Sequence, residues 1–467
     1  MKKGFVITFF CLFLTGCSTI STLFENLFSF WEDKNSNSSY FENKNGTKIS
    51  KNPSLPVPES YEVAYSYRTS KPDERIVKLI KDRKVESLRV NQTNEYMKVV
   101  TTEIINNSTN DFEKAKFVYD FVAVLVHYDA ASFWSGKLPS QDWETVIKTK
   151  NGVCEGYANV FKKVCDLVQL PCKVVHGYAR GVGTDITTES LKAESNHAWN
   201  IVQIEKKWYL IDSTWGSGYM NGKKSVQSYN TDWLFTKPQH FIATHYPEKA
   251  INQLLQTPLL EKEFFELADF RPIFYEITGE DISKIKKNNI VENKFVFSYS
   301  NDDYRFTFNV RDLAKSVVVK NCCLSEKTEN GTKVNIDFPR AGVYSIDVFY
   351  WKKGSKRGSS CGKFLVEATK PSDIKYPDIL PTTKNATLLE PLTMPLIRGN
   401  SYDFVVDAVD YNFVFVNIDR QFIKLEKQDD GRYKGYVEIP KTAKKVNICV
   451  SNKERGSYEI LTSYILK

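Results

Sequence analysis

Three residues of this chain have the side-chain types that thiol chemistry requires: Cys154, His197 and Asp212. A cysteine attacks as its thiolate, which forms at neutral pH only beside a base, a cation or a helix N-terminus. A histidine can serve as that base, and a carboxylate can hold the imidazole with the correct nitrogen facing the thiol. The three types together indicate nucleophilic catalysis, provided that the fold brings them into contact.

The surroundings of Cys154 favour a thiolate. After the turn signal Asn151-Gly152, apolar residues recur at intervals of three and four, which predicts a helix; they are Tyr157, Val160, Phe161, Val164 and Val168. Pro171 is expected to stop this helix. Cys154 therefore opens the helix, where unpaired N–H groups and the positive dipole end favour negative charge. Cys165 and Cys172, further along, are expected to be structural.

The histidine and the aspartate lie in a predicted β-hairpin. Residues 197–212 contain two runs rich in Trp, Ile, Val, Tyr and Leu on either side of Glu205-Lys206. With Glu205-Lys206 as a two-residue turn, His197 faces Thr214, and Asp212 is its diagonal neighbour. A shift of one pair would instead place His197 directly opposite Asp212. In both registers the imidazole and the carboxylate lie on one side of the hairpin, within reach of each other.

Taken singly, a helical cysteine or a strand histidine is more often a packed core residue. The joint pattern, however, resembles the transglutaminase-like superfamily, which has a papain-type fold. The matching segments are Gly-Val-Cys-Glu-Gly-Tyr-Ala at 152–158, Asn-His-Ala-Trp-Asn at 196–200 and Leu-Ile-Asp-Ser-Thr-Trp-Gly at 210–216. More narrowly, residues 60–467 resemble the kyphoscoliosis peptidase family. This narrower resemblance is carried by residues 116–129, 233–259 and 338–350.

The resemblance implies that Cys154 is the nucleophile, His197 the general base and then acid, and Asp212 the orienting group. An acyl-thioester would pass to water in a peptidase or to an amine in a transglutaminase. The backbone N–H of Cys154 would hold part of the oxyanion. A further donor could come from one of three side chains that can equally be packing residues: Gln141, Trp143 and Trp134. Some superfamily members serve as inactive scaffolds, so a binding protein that retains the triad is the alternative.

The N-terminus resembles that of a bacterial lipoprotein. Lys2 and Lys3 precede an apolar stretch, residues 4–14, that is too short to span a bilayer. Leu14-Thr15-Gly16-Cys17 then looks like a lipobox, with cleavage before Cys17 and acylation of its sulfur. An ordinary secretory peptide with an accidental cysteine is the alternative. We expect a lipid-anchored protein of the bacterial cell envelope, held at a membrane outside the cytoplasm.

The remaining chain predicts an α+β protein of several parts. Residues 1–16 are expected to be the signal peptide, and 17–58 the lipid anchor and a polar tether. A transglutaminase-like catalytic domain is predicted at 59–280. Short alternating runs then predict two antiparallel β-sandwich-like modules, at 281–372 and 373–467. The loop at 181–195 is expected to be either a mobile flap or a solvated excursion.

The composition limits the classes of molecule that this chain is expected to bind. The apolar fraction of 42% and the charged fraction of 26% are typical of globular proteins. A net charge of +8 is mild for 467 residues, and scattered lysines without a binding motif argue against nucleic acid. A protein or peptide substrate, or cell-envelope material, is expected instead; the oligomeric state stays open. Without a CxxC motif, and with five histidines, no metal or other cofactor is predicted.

The cysteines outside the N-terminus and the predicted nucleophile leave the disulfide pattern open. Six of them could pair in an oxidising compartment, in any of fifteen ways: Cys165, Cys172, Cys322, Cys323, Cys361 and Cys449. Cys322 and Cys323 are adjacent, so in a strand their side chains are expected to point to opposite faces.

Overall fold

The computed structural model describes residues 55–355, 357–379 and 386–467. The predicted signal peptide, the lipidation site Cys17 and nearly all of the predicted tether lie outside these residues. The described chain forms two compact units. The first ends at Glu261 and excludes Thr184–Glu189; the second comprises Thr184–Glu189 and Lys262–Lys467. The division therefore falls before the predicted boundary at 280.

The first unit combines helices with an antiparallel sheet. Its helices are α1 (Glu62–Ser66), α2 (Glu74–Lys81), α3 (Arg83–Asn91), α4 (Thr93–Asn107), α5 (Asp111–Leu125), α6 (Ala130–Ser135), α7 (Trp143–Thr149), α8 (Cys154–Leu167), α9 (Ser213–Ser217), α10 (Pro238–Phe241) and a 3-10 helix at Ala250–Gln253. Its strands are β1 (His127–Tyr128), β2 (Asn151–Gly152), β3 (Cys172–Ala179), β4 (His197–Ile204), β5 (Lys207–Ile211), β6 (Gly218–Asn221), β7 (Lys224–Gln227), β8 (Leu234–Thr236) and β9 (His245–Pro247).

Five of these strands form one sheet in the order β8-β5-β4-β3-β9. The helix α5 is buried on nearly every side, as expected of a helix that is apolar all round. The helix α8 buries its apolar face in the same core, which includes Tyr157, Phe161 and Val164 together with Phe117 and Phe121 of α5. This shared core fixes α8 against the sheet.

The predicted hairpin of β4 and β5 is confirmed in the first of the two proposed registers. Glu205 and Lys206 have φ values of 50° and 65°, which are those of a type I′ turn. Ile204 pairs with Lys207, and the pairing continues to Asn200 and Ile211. The expected pairing of His197 with Thr214 is wrong, because β5 ends at Ile211 and the chain turns into α9.

The second unit is rich in strands. Its helices are α11 (Glu261–Glu266), whose first residue closes the first unit, and α12 (Pro272–Thr278). Its strands are β10 (Asp269–Phe270), β11 (Asn288–Val291), β12 (Lys294–Tyr299), β13 (Tyr304–Asp312), β14 (Val317–Val318), β15 (Cys323–Thr328), β16 (Gly331–Asp337), β17 (Gly342–Lys352), β18 (Ser359–Ala368), β19 (Asp378–Ile379), β20 (Thr387–Glu390), β21 (Ser401–Asp407), β22 (Phe413–Ile418), β23 (Gln421–Lys424), β24 (Glu426–Lys427), β25 (Arg432–Glu438), β26 (Val446–Ser451) and β27 (Glu459–Tyr464).

These strands build two pairs of sheets, one in each predicted module. The first pair consists of β10-β18-β17-β13-β14, with β11 alongside β18, and of β12-β16-β15. The second pair consists of β19-β27-β26-β22-β23 and β20-β21-β25-β24. All pairings within the four sheets are antiparallel except that of β11 with β18. The expectation of an α+β protein with antiparallel β-rich C-terminal modules is confirmed.

The adjacent cysteines do not behave as neighbours within a strand. Because β15 begins at Cys323, Cys322 lies outside the strand, and the two Sγ atoms are 3.5 Å apart. The expectation that Cys322 and Cys323 point to opposite faces is therefore wrong. None of the seven cysteines among the described residues is in a disulfide.

No helix within residues 55–355, 357–379 and 386–467 has both the length and the apolar character needed to cross a bilayer.

Candidate active site

Cys154 is the first residue of α8, as predicted. Its predecessor Val153 is the N-cap residue and has an extended backbone, and no side chain caps this helix. The N–H group of Val153 donates to Oε1 of Gln141 at 2.8 Å, which fixes the peptide just before the thiol. Cys154 itself is nearly enclosed, with 5% of its surface exposed. An uncapped helix N-terminus beside an enclosed thiol is a favourable place for a thiolate.

His197 lies between Cys154 and Asp212. Its Nε2 is 2.8 Å from Oδ2 of Asp212, and Cys154 interacts electrostatically with the same ring. A carboxylate only accepts hydrogen bonds, so Nε2 of His197 must carry a proton. The other ring nitrogen, Nδ1, is therefore left to exchange a proton with the thiol. Cys154 begins the predicted helix, His197 begins the first strand of the hairpin, and Asp212 follows its second strand.

The electrostatics of this group favour a charged pair. Burial by itself lowers the pKa of His197, but the charges of Asp212 and Cys154 and the hydrogen bonds to both raise that pKa to about 10. Burial raises the pKa of Asp212, but His197 and His245 together hold it well below its ordinary value. A protonated imidazole next to the thiol stabilises the thiolate. The site is thus suited to hold a protonated His197 next to the Asp212 carboxylate.

Asp212 also shapes the local backbone. Its Oδ1 accepts from the N–H groups of Thr214 at 2.8 Å and of Trp215 at 3.0 Å, so Asp212 is the N-cap of α9. Aspartate is a preferred N-cap residue because its side chain satisfies the first free N–H groups of a helix. The carboxylate of Asp212, which follows β5, therefore both caps α9 and orients His197. The two backbone donors fix the rotation of the carboxylate.

A second histidine reaches Asp212, and the sequence did not assign it a role. Nε2 of His245, the first residue of β9, lies 3.2 Å from the same Oδ2 atom that contacts His197. His245 is completely buried, and burial is the main cause that lowers its pKa to about 4. It is therefore neutral at physiological pH. The sequence signal that could have found His245 is its position in the segment 233–259, which is one of the segments that carry the family resemblance.

Aromatic rings surround the two histidines. The ring of His245 stacks on Phe241 at 4.0 Å between centroids and contacts Trp215 at 4.5 Å. Trp199 and Trp233 lie at 5.1 Å and 5.3 Å from the same ring. This apolar wall keeps water away from the Asp212 carboxylate and strengthens its interactions with the imidazoles.

Among the described residues, one group has ligand atoms close enough together to suggest a metal ion. Its atoms all lie within 4.8 Å of one another, and its members are His197, Asp212 and His245. Both imidazole nitrogens already approach Oδ2 of Asp212 at hydrogen-bonding distance. The arrangement is therefore that of a hydrogen-bonded charged cluster, which needs no ion to pair the carboxylate. The predicted lack of a metal cofactor stays a prediction.

The three candidate oxyanion side chains have different surroundings. Both amide atoms of Gln141 are used by the backbone, since Nε2 donates to the carbonyl of Pro139 at 2.9 Å while Oε1 accepts from Val153. Trp143 begins α7, where Nζ of Lys163 lies 4.8 Å from its ring centroid. In α6, Nε1 of Trp134 is buried and has no hydrogen-bond partner among the described residues. Of the three, Trp134 is the one with a buried donor that has no hydrogen-bond partner among the described residues.

The loop at 181–195 is divided between the units. Thr184–Glu189 belongs to the second unit, where Ile186 is buried and the carboxylate of Glu189 lies 3.2 Å from Nζ of Lys287. The remainder of the loop belongs to the first unit, and much of it is exposed. The centre of the loop therefore contains a buried apolar residue and a carboxylate in an ion pair.

A cysteine at a helix N-terminus thus interacts with a histidine that is held by an aspartate at the end of a sheet, and these are the residue types that nucleophilic thiol chemistry requires. A family model described as the transglutaminase-like superfamily matches residues 98–213, which contain Cys154, His197 and Asp212. These residues are therefore similar to the transglutaminase-like superfamily.

The chain is similar to several known proteins over part of its length. Human "Kyphoscoliosis peptidase" is 26% identical over 256 residues, which cover 54% of this chain and 37% of the human protein. Drosophila melanogaster "Hillarin" is 21% identical over 277 residues, covering 53% of this chain and 33% of Hillarin. A crystal structure described as a TGase is 22% identical, covers 25% of this chain and 32% of its own, and has a TM-score of 0.19. The chain thus spans about a third of the length of these proteins.

Proposed function

We propose that this protein is a thiol enzyme that cleaves amide bonds in protein or peptide substrates through an acyl-thioester on Cys154. The observation that carries the proposal is the position of His197. Its Nε2 is 2.8 Å from Asp212, and Cys154 interacts electrostatically with the same ring, so the other ring nitrogen is left to exchange a proton with the thiol. A lone structural histidine would not need a buried carboxylate on one side and an enclosed thiol on the other.

In the proposed reaction, the Cys154 sulfur attacks the carbonyl carbon of the substrate while His197 holds the proton taken from the thiol. The C–N bond then breaks, and Nδ1 of His197 gives its proton to the departing amine. Water next attacks the acyl-thioester and returns a proton to His197, and the acid and the thiol are released. The backbone N–H of Cys154 and Nε1 of Trp134 are the proposed donors to the oxyanion.

Transfer of the acyl group to an amine is the second candidate reaction. It uses the same acyl-thioester, and the enclosure of the site favours it, because Cys154 and His197 are only 5% and 6% exposed. An enclosed thioester reacts with water more slowly than an open one, which leaves time for an amine to compete. A scaffold that retains an unused triad is the third possibility.

The first test is the pH dependence of alkylation at Cys154 in the full-length chain, followed by mass spectrometry. The tryptic peptide 151–162 contains Cys154 as its single cysteine. An activated thiol reacts rapidly well below the ordinary cysteine pKa of about 8.5, and His197→Ala abolishes this advantage. Cys165 on the same helix is the internal control, because burial raises its pKa well above the ordinary value and should keep it unreactive.

An ordinary titration of Cys154 that His197→Ala leaves unchanged would favour the scaffold. If the thiol is activated, peptide libraries with and without an added primary amine separate the two reactions. New peptide ends in both conditions identify a peptidase. Incorporation of the amine with release of ammonia from glutamine identifies an amine transferase.

We also propose that Cys17 carries lipid and anchors the chain at a membrane of the bacterial cell envelope, on the evidence of the N-terminal sequence alone. The test is metabolic labelling with a clickable palmitate analogue in a bacterial host, followed by membrane fractionation. Cys17→Ala should abolish labelling and release the protein from the membrane fraction. Equal labelling of the wild type and the variant would refute the anchor.

A further inference from the structure

The unassigned group nearest to the proposed triad is the imidazole of His245. Its Nε2 lies 3.2 Å from Oδ2 of Asp212, and Nε2 of His197 lies 2.8 Å from the same oxygen. Two imidazoles therefore share a single carboxylate oxygen. The other oxygen, Oδ1, accepts from two backbone N–H groups at 2.8 Å and 3.0 Å. Four N–H donors thus surround one buried carboxylate.

The tautomer of His245 follows from its neighbours. Asp212 is an acceptor, so Nε2 of the neutral His245 must carry the ring proton. Nδ1 must then accept, and the hydroxyl of Thr244 is in place to donate to it, since the two atoms are 2.8 Å apart. A chain of hydrogen bonds therefore runs from Thr244 through His245 to Asp212 and on to His197. The last residue of this chain, His197, is the one that interacts with the proposed nucleophile.

We propose that His245 is a positioning residue that acts through Asp212: by donating to Oδ2, it takes up part of the carboxylate charge and weakens the hold of Asp212 on the His197 proton. This inference rests on the proposed function for its catalytic consequence. The rotation of the carboxylate is already fixed by the backbone donors of α9, so the contribution of His245 is to the charge on Oδ2.

A hydrogen-bond donor to Asp212 would assist the proton transfer from His197 in the proposed reaction. A general acid works best when its pKa lies near the working pH. The pKa of His197 is already about 10 with both imidazoles on Asp212. Without His245, more negative charge would remain on Oδ2, and His197 would hold its proton more tightly. Its transfer to the departing amine would then be slower.

Several other titratable groups face this cluster. They are Cys154 and Tyr157 on α8, Tyr119 on α5 and Tyr128 on β1. Burial raises the pKa of each of the three phenols above its ordinary value, so the phenols stay uncharged in the range of interest. The charged partners of His197 are then Asp212 and the Cys154 thiolate. Replacing Cys154 by serine removes the thiolate and leaves the effect of His245 on the imidazole measurable by itself.

The test is an NMR titration of the imidazoles in the full-length chain carrying Cys154→Ser. The chain has five histidines, so the His197 signals can be assigned by substitution. Adding His245→Phe keeps an aromatic ring against Phe241 but removes the donor. It should raise the pKa of His197 by about half to one unit, as expected for loss of a hydrogen bond to a neighbouring charge. His245→Gln offers an amide N–H in place of Nε2 and should restore most of the original pKa.

A His197 pKa that is unchanged or lowered in His245→Phe would overturn the proposal and leave His245 a packing residue. If that variant does not fold, Thr244→Val is the second variant, because it preserves shape while removing the donor to Nδ1. It should raise the pKa of His197 in the same direction by a smaller amount, and an unchanged value would again overturn the proposal.

The NMR readout separates this inference from the proposed function. With Cys154 intact, His245→Phe should lower kcat with little change in KM, and His245→Gln should recover kcat. A His197 pKa that responds to His245 in a protein without any acyl-transfer activity would refute the enzyme and keep the positioning role. An active enzyme whose His197 pKa does not change when His245 is replaced would refute the positioning role and keep the proposed function.

Discussion

Replacing Asp212 by asparagine is the change that most directly tests the reasoning about the site. In the wild type, Oδ1 accepts two backbone N–H groups and Oδ2 accepts two imidazole N–H groups. An asparagine can serve only one of these pairs with its carbonyl oxygen. If that oxygen caps α9, the amide NH₂ points at the two imidazoles and forces Nε2 of His197 to become an acceptor. Nδ1 then carries the proton and cannot take one from Cys154.

The size of the effect can be worked from the charge that is lost. The negative charge of Asp212 is the largest of the causes that raise the pKa of His197, from an ordinary 6.5 to about 10. Removing that charge leaves the effect of burial opposed only by Cys154, so the pKa should fall by up to the full shift, back to its ordinary value. This is a loss on the order of 5 kcal/mol in the preference for the imidazolium. With the wrong tautomer as well, we expect a decrease of about 10³- to 10⁴-fold in acyl-transfer rate.

The pH dependence of stability gives a second measure of the same change. The pKa of His197 is raised in the folded state, so its contribution is complete below about 6.5 and is lost as the pH rises through about 10. The pKa of Asp212 is lowered, so its contribution is present above its ordinary value of 3.8 and is lost as the pH falls through the lower folded value. Denaturant unfolding of Asp212→Asn should therefore lack the fall in stability between about pH 6.5 and 10 that is due to His197 in the wild type.

The matched control is Asp120→Asn. Asp120 is also completely buried and pairs with Nζ of Lys116 at 2.5 Å, on α5 and not in the hydrogen-bonded chain to Cys154. Loss of this partner should destabilise the fold by about 3 kcal/mol but leave the pH profile of Cys154 alkylation unchanged. If Asp212→Asn keeps the wild-type alkylation profile, or if both variants change it equally, the assignment of Asp212 as the orienting group is refuted.

Three further substitutions test other parts of the site. Trp134→Phe should lower kcat by about 10²-fold with an unchanged denaturation midpoint; unchanged steady-state kinetics would exclude its indole as an oxyanion donor. Gly216→Ala should prevent folding at ordinary temperature, because a Cβ there would lie 1.7 Å from the hydroxyl of Tyr119; a cooperative unfolding transition near that of the wild type would contradict this. Gln141→Leu leaves the N–H of Val153 without its acceptor, and should cost about 1–3 kcal/mol in denaturant unfolding; a smaller loss would mean that water replaces the amide.

The local elements of the site were predictable because they depend on short-range patterns. The three- and four-residue spacing after Cys154 predicts the helix that the structure begins at this residue. The pair Glu205-Lys206 takes up the left-handed conformation of a two-residue hairpin turn, and this fixes the strand register. The register extends to Ile211, and the carboxylate of Asp212 follows as an N-cap. Cys154, His197 and Asp212 are thus on or next to elements whose form the nearby sequence determines.

What only the tertiary structure decided is the environment of these elements. His245 reaches Asp212 across 33 residues of sequence, because the sheet order places β9 beside β3 at the same end of the sheet. No periodicity in the chain encodes that neighbour, nor the use of both Gln141 amide atoms by backbone groups. The protonation states follow from burial and from the number of donors around Asp212, which are properties of the packed core. The sequence by itself determined which residues could react, and long-range packing decided their charges, because desolvation depends on every element that closes around them.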